Sequence, residues 1–174
     1  IATNTAKFAR EVYPLEVKIL DTRKTTPGWR ILEKYAVSVG GGFNHRFGLY
    51  DAVLIKNNHL DAVKGRSVAE AVRIAREKYP NLKIQVEVRN VDELSSAIQG
   101  GPDSILLDNM SVEDVTRAIH TIRTSASKYP KVEVSGGINL TNIRKYAETN
   151  PDYISSGALT HSASAVDMSL RVNK

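Results

Sequence analysis

Apolar residues follow two alternating patterns along the chain. Short runs rich in aliphatic and β-branched residues at 17–24, 51–57, 83–89, 103–109, 131–136 and 152–157 have consecutive apolar centres, as in "AVLIK" and "SILLD". Such runs suit strands covered on both faces better than strands wetted on one. Between them the spacing becomes helical. Ser67 followed by Glu70 forms a capping box, after which Val68, Ala71, Val72 and Ala75 share one face. Ser111 with Asp114 opens a second helix, whose apolar side is Val112, Val115, Ala118, Ile119 and Ile122. Leu94, Ala97 and Ile98 mark a shorter helix, Leu140, Ile143 and Ala147 another, and the chain already reads as helix at Ile1. Pro80 and Pro130 are expected to stop their helices just ahead of the next strand, because proline cannot continue one.

Six βα units in a row predict an α/β fold with a parallel sheet, either doubly wound or a partial barrel. A partial, open α/β barrel of the TIM-barrel type is the better expectation, because the polar residues of interest fall at the C-terminal ends of the strands, where barrel sites are built. No linker or low-complexity stretch interrupts the pattern. With 174 residues and 41% apolar content, one domain over residues 1–174 is expected.

Charge narrows the partners only slightly. The 24 Lys and Arg against 19 Asp and Glu leave +5, which serves nucleic acid, a membrane surface or small anionic substrates equally well. The absence of cysteine excludes disulfides and thiolate metal sites, and nothing reads as a signal peptide or spanning segment, so a cytoplasmic protein is the default expectation. The four histidines show no metal-binding spacing, and the tyrosines with Trp29 form no stacking platform, so no nucleic-acid role is expected. His120 is expected to be an exposed mid-helix residue, and His59 a hydrogen-bonding group in the loop after the second strand.

The stretch "LDTRKTTPGWR", residues 20–30, sets two cations side by side at the end of a buried run. The strand ends in order supply Arg23 and Lys24, then Lys56, then Glu87 and Arg89, then Asp108, then Ser135, Gly136 and Gly137, then Gly157. Any one charge alone reads as a solvated strand terminus. Lys56 and Asp108, however, directly follow apolar runs and need partners nearby. The loop "GGGFNHRFG" at 40–48 adds His45 and Arg46, and its three glycines permit close backbone approach to an anion or serve a flexible turn. Arg23, Lys24, Arg46 and Lys56 with the His45 imidazole exceed what one phosphate needs. A dicarboxylate would use them well, Arg as a planar fork and Lys as a point charge.

A second constellation joins "SGGI" at 135–138 to "SGALTHS" at 156–162. Glycine turns after the last strands of a barrel, each leading into a helix N-terminus, make a phosphate pocket, with His161 as a donor or a cap, or they are two ordinary βα turns. Glu87 and Asp108 lie between the two constellations. They suit ribose hydroxyls, a Mg²⁺ ion or stabilisation of a sugar cation, or they only neutralise Lys24 and Lys56.

The block "DTRKTTPGWRILEKYAVSVGGGFNHRFGLYDAVLIKNNHL", followed in order by "VEVRN", "ILLDNMS", "VSGGIN" and "YISSGALTHSA", resembles quinolinate phosphoribosyltransferase, also called nicotinate-nucleotide pyrophosphorylase (carboxylating). The resemblance covers essentially the whole chain. It implies transfer of phosphoribose from 5-phosphoribosyl 1-pyrophosphate to the nitrogen of quinolinate, with release of CO₂ and formation of nicotinate mononucleotide for NAD biosynthesis. Carried over by residue, it implies that Arg23, Lys24, His45, Arg46 and Lys56 surround the quinolinate carboxylates, with Lys24 and Lys56 also reaching the pyrophosphate. Glu87 and Asp108 would face the ribose hydroxyls and Mg²⁺, and Ser135, Gly136, Gly137, Gly157 and His161 the 5-phosphate. Lys24, Lys56, Glu87 and Asp108 would carry the catalysis. The resemblance further implies a homodimer, and an N-terminal domain of roughly a hundred residues that this sequence does not include. Asn57 stands where the family commonly has an acid.

Two other readings fit parts of the pattern. A Schiff-base aldolase barrel would use Lys56 as an amine nucleophile emerging from an apolar strand. A non-catalytic relative would only bind phosphorylated ligands or serve as an assembly subunit.

Overall fold

In β3 (Lys83–Val88) the sequence KIQVEV alternates. Ile84, Val86 and Val88 are fully buried on one face, while Gln85 and Glu87, each 7% exposed, occupy the other. The same alternation runs through β4 (Ser104–Asp108) and β5 (Lys131–Ser135), where Ile105, Leu107, Val132 and Val134 face the helical side. The centres of these three strands are therefore buried, as their apolar runs predict. One face, however, is a polar interior carrying Glu87, Leu106, Asp108, Glu133 and Ser135, not a second apolar layer.

The computed structural model describes residues 1–62, 67–125 and 129–172. Together with β1 (Lys18–Leu20), β2 (Ala52–Ile55) and β6 (Tyr153–Ser155), the strands form one wholly parallel sheet in the order β1-β6-β5-β4-β3-β2. The first strand thus pairs with the last, and the curl stays open between β1 and β2. A single bridge between Leu20 and Phe43 reaches toward that gap. This is the open α/β barrel expected from six βα units.

The helices are α1 (Ala2–Val12), α2 (Arg30–Val39), α3 (Asn57–Ala62), α4 (Val68–Lys78), α5 (Val91–Gly100), α6 (Val112–Thr124) and α7 (Ile143–Ala147). Their caps follow the sequence signals. Ser67 Oγ accepts from Glu70 N at 3.2 Å and Ser111 Oγ from Asp114 N at 3.1 Å, each worth about 1 kcal/mol. Asn90 caps α5 in the same way. The apolar faces of α4, α5 and α6 close over the strands through Val72, Leu94, Ala97, Val115, Ala118 and Ile122, all fully buried. Truncating such a residue, for example Leu107 to alanine, costs about 2–5 kcal/mol.

Some boundaries differ from expectation for local reasons. The first run ends at Leu20, not residue 24, because Asp21 N donates to Phe43 O and a turn follows in which Thr25 N donates to Arg23 O. The second ends at Ile55, because Asn57 begins α3. Pro80 follows the end of α4 closely, but α6 stops at Thr124, well before Pro130, with Ser125 closing it.

Candidate active site

The turn after β1 and the loop before β2 are anchored on one buried pair. Lys34, from α2, donates to Asp21 Oδ1 at 2.5 Å and to His45 O at 2.9 Å, while His45 N donates to the same Asp21 oxygen at 2.8 Å. Asp21 is fully buried and Lys34 nearly so. Burial pushes the Asp21 carboxyl up, against the opposing pull of Lys34 and the His45 amide. One carboxylate thereby fixes where Arg23 and Lys24 leave the sheet and where His45 and Arg46 approach it.

A cavity of about 590 Å³ opens at the C-terminal ends of the strands. All 12 sequence-derived candidates line it: Arg23, Lys24, His45, Arg46 and Lys56 from the first turns, Glu87 and Asp108 from the middle strands, and Ser135, Gly136, Gly137, Gly157 and His161 from the last two. Arg89 does not reach it. Its guanidinium turns outward to Glu93 at 2.8 Å, an exposed i,i+4 pair.

The cationic side is only partly neutralised. Lys56 Nζ donates to Glu87 Oε2 at 2.7 Å, and Asn57 Nδ2 donates to Glu87 Oε1 at 3.2 Å. Arg23 and Lys24 have no ion pair among the described residues, and Arg23 Nε is buried without a hydrogen-bond partner there. Arg46 donates to Ala52 O at 2.8 Å; burial first, and then the nearby Arg23 charge, lower its pKa. Arginine nevertheless stays protonated near neutrality, so the cavity presents uncompensated positive charge.

His45 is held from both ring nitrogens. Arg46 N donates to Nδ1 at 2.8 Å, so the proton sits on Nε2, which faces Gln85 Oε1 at 3.1 Å and Glu133 Oε2 at 3.3 Å. Gln85 Nε2 donates to the same Glu133 oxygen at 2.8 Å. Burial opposes the charge on Glu133, but bonds from His45 and Gln85 outweigh it and hold the carboxyl below the usual glutamate range. Sequence reasoning passed over Glu133 and Gln85. The polar letters inside "KIQVEV" and "KVEVS" were the available signal, since a charge at the centre of a buried strand needs a partner.

The three glycines at 40–42 serve the turn, one of the two readings their letters allow. They do not line the cavity. A Cβ on Gly40 would lie 2.4 Å from Ala2 O and 2.6 Å from Thr5 Cβ, and one on Gly42 2.7 Å from Thr5 Cγ2, so these two let α1 pack against the loop, while Gly41 supplies the turn with a positive φ of 85°.

On the opposite wall, Gly157 does require its close approach. A Cβ there would come within 2.7 Å of His161 Nε2 and 3.3 Å of Lys24 Cδ, bringing the two constellations together. Thr160 Oγ1 also donates to Lys24 O at 2.7 Å. The helix N-termini expected after the glycine turns are slight: residues 157–159 form only a 3₁₀ turn, and α7 begins at Ile143 with five residues. This wall therefore offers an anion turn amides and side chains, not the dipole of a long helix.

A metal has few free ligands. Among the described residues no group of three His, Cys, Asp or Glu side chains could hold an ion. Glu87 is committed to Lys56 and Asn57, and Asp108 Oδ2 accepts from Asn109 Nδ2 at 2.8 Å. This donor set fits Mg²⁺ only if a ligand supplies most of the oxygens, which is the usual habit of that ion at phosphates. Lys56 is no better suited to Schiff-base chemistry, since its ammonium is paired with a carboxylate and its side chain is 45% exposed.

Comparison with known proteins agrees with this geometry. Residues 1–171 match the family described as quinolinate phosphoribosyl transferase, C-terminal domain. The chain is 44% identical over 176 residues to a probable nicotinate-nucleotide pyrophosphorylase [carboxylating] of Bacillus subtilis, covering 99% of this chain and 58% of that protein. It is 45% identical over 170 residues to the nicotinate-nucleotide pyrophosphorylase [carboxylating] of Mycobacterium leprae, covering 98% and 59%. The solved structure of the nicotinate-nucleotide pyrophosphorylase from Francisella tularensis superposes with a TM-score of 0.85 at 45% identity, covering 91% of this chain and 55% of that one. The chain thus spans less than two thirds of the length of these relatives. With an open parallel barrel, a cationic cavity at its C-terminal rim and a match over 1–171, this chain belongs to the quinolinate phosphoribosyl transferase family and corresponds to its C-terminal domain.

Proposed function

We propose that the protein transfers phosphoribose from 5-phosphoribosyl 1-pyrophosphate to the ring nitrogen of quinolinate, releasing pyrophosphate and CO₂ and leaving nicotinate mononucleotide. The observation that carries this reading is the division of one cavity into a wall of Arg23, Lys24, Arg46 and Lys56 and a wall of Ser135, Gly136, Gly137, Gly157 and His161, with Glu87 and Asp108 between. The first wall suits two carboxylates and a departing pyrophosphate. The second suits a terminal phosphate, and the acids suit ribose hydroxyls.

Breaking the bond from ribose to pyrophosphate develops an oxocarbenium-like sugar. Lys24 and Lys56 stabilise the leaving charge, and the fixed cage holds the pyridine nitrogen in line, so catalysis is positioning plus electrostatics. Mg²⁺, bound with the phosphates near Asp108 and Glu87, would shield the leaving pyrophosphate. Once ribosylated, the ring nitrogen is cationic and accepts the electron pair released when the adjacent carboxylate leaves as CO₂; a proton then replaces it on the ring. No covalent nucleophile takes part.

Ile31, Leu32, Tyr35 and Val39 leave apolar surface exposed on α2, which supports an assembly of at least two copies as the working form. Among the described residues no helix is long and apolar enough to cross a membrane.

The test is direct: protein of the length of its relatives is mixed with quinolinate, 5-phosphoribosyl 1-pyrophosphate and Mg²⁺. CO₂ and nicotinate mononucleotide are the expected products, and their absence overturns the reading.

A further inference from the structure

Arg30, the first residue of α2, does not line the cavity, yet its guanidinium touches both segments that build the cationic wall. Nη2 donates to the carbonyl of Arg23 at 3.3 Å, Nε to Thr25 Oγ1 at 3.1 Å, and Nη1 to the carbonyl of Phe47 at 3.1 Å. The first two contacts grip the turn that carries Arg23 and Lys24. The third grips the loop that carries His45 and Arg46.

No backbone hydrogen bond joins residues 22–26 to 44–48 among the described residues. Arg23 and Arg46 also carry like charges into the same wall; burial first, and then the Arg23 charge, lower the Arg46 pKa. The two halves of the wall therefore need a link that resists their separation. A planar fork reaching three acceptors supplies it, and a lysine, with one ammonium, cannot reach all three.

We propose that Arg30 is a positioning residue that sets the separation between the Arg23–Lys24 turn and the His45–Arg46 loop, and so tunes the wall to two adjacent carboxylates. This rests on the dicarboxylate reading of the site. The preference for a dicarboxylate then depends on a residue that touches no ligand, because a misplacement of about 1 Å in a binding wall is enough to weaken capture severely.

The test compares the unaltered protein with R30Q, R30K and T25V by calorimetry against quinolinate and, separately, ribose 5-phosphate, with hydrogen exchange read at residues 22–26 and 44–48. R30Q and R30K are expected to weaken quinolinate binding about 10- to 100-fold while leaving ribose 5-phosphate within about threefold, as expected for a displaced wall. Amide exchange should rise in those two segments and not in β3 to β5. T25V, which removes one acceptor and keeps the charge, should give a smaller loss of the same kind. The proposal is overturned if R30K binds quinolinate like the unaltered protein, if both ligands weaken equally, or if exchange in the two segments is unchanged. If the unaltered protein binds no quinolinate, the functional reading fails on its own, and exchange in R30Q still decides whether Arg30 staples the two segments. Should R30Q not fold, T25V carries the same comparison.

Discussion

Lys56 Nζ and Glu87 Oε2 meet at 2.7 Å at the carboxyl ends of neighbouring strands β2 and β3. Lys56 is the first residue beyond Ile55, whose register partner is Val86, so the pair is a direct cross-strand neighbour at the mouth of the barrel. The partner that the sequence demanded for a lysine leaving an apolar run is therefore one strand away. The contact aims the ammonium while leaving the side chain about half-exposed to the cavity.

Replacing Lys56 with alanine should cost about 1–3 kcal/mol of stability, because the buried Glu87 carboxylate loses its cation and keeps the Asn57 amide. It should lower kcat/KM by about 2–4 kcal/mol, the loss typical of one preorganised charge. Steady-state kinetics beside a denaturation curve separate the two. A variant with unchanged kcat/KM would remove Lys56 from the catalytic set.

Arg23→Ala and Lys24→Ala should each reduce kcat/KM by a similar amount, about 2–4 kcal/mol. Neither side chain is held by an ion pair among the described residues, so melting temperature should scarcely change. Full activity in both variants would dismantle the assignment of the cationic wall.

Asp21→Ala leaves Lys34 nearly fully buried without its carboxylate partner. Loss of one member of such a pair costs about 3–5 kcal/mol, whereas D21L combined with K34M should recover most of it. Urea titration of the single and double variants reads both values, and a single variant within about 1 kcal/mol of the unaltered protein would contradict the anchoring role of the pair.

Acid should weaken the fold partly through Glu133. Its carboxyl is held below the ordinary value of 4.5, so the folded state keeps it ionised after the unfolded chain has protonated. Its contribution is complete above 4.5 and fades as pH falls through the lowered folded value. Asp21 acts oppositely, because burial raises its pKa and its contribution grows as pH falls; both proteins share that part. Stability of E133Q should accordingly fall less steeply below pH 4.5 than that of the unaltered protein, and parallel curves would refute the linkage.

Gly157→Ala should push His161 and Lys24 outward, given contacts of 2.7 and 3.3 Å for the added methyl. The far end of a side chain yields at small cost, so the stability change should stay at the low end of overpacking effects, about 1 kcal/mol. Ribose 5-phosphate binding, measured by calorimetry, should weaken by about tenfold, the size of a lost hydrogen bond to a charged group. Unchanged binding would take Gly157 and His161 out of the phosphate wall.

Much was legible in the letters because local patterns reflect local physics. The alternation of short apolar runs with helical spacing determined six βα units, and Ser67 with Glu70 and Ser111 with Asp114 fixed two helix starts, since a cap needs only its own turn. Charges placed directly after apolar runs marked the rim of the barrel. The tertiary structure alone decided that β1 pairs with β6, which brings Lys24 against Gly157, residues far apart in sequence. It also turned Arg89 outward to Glu93, assigned Gly40 and Gly42 to the packing of α1, and set Gln85 and Glu133 behind His45. Each of these depends on which surface a residue meets across the sheet, and that is fixed by long-range pairing, not by the neighbours in the chain.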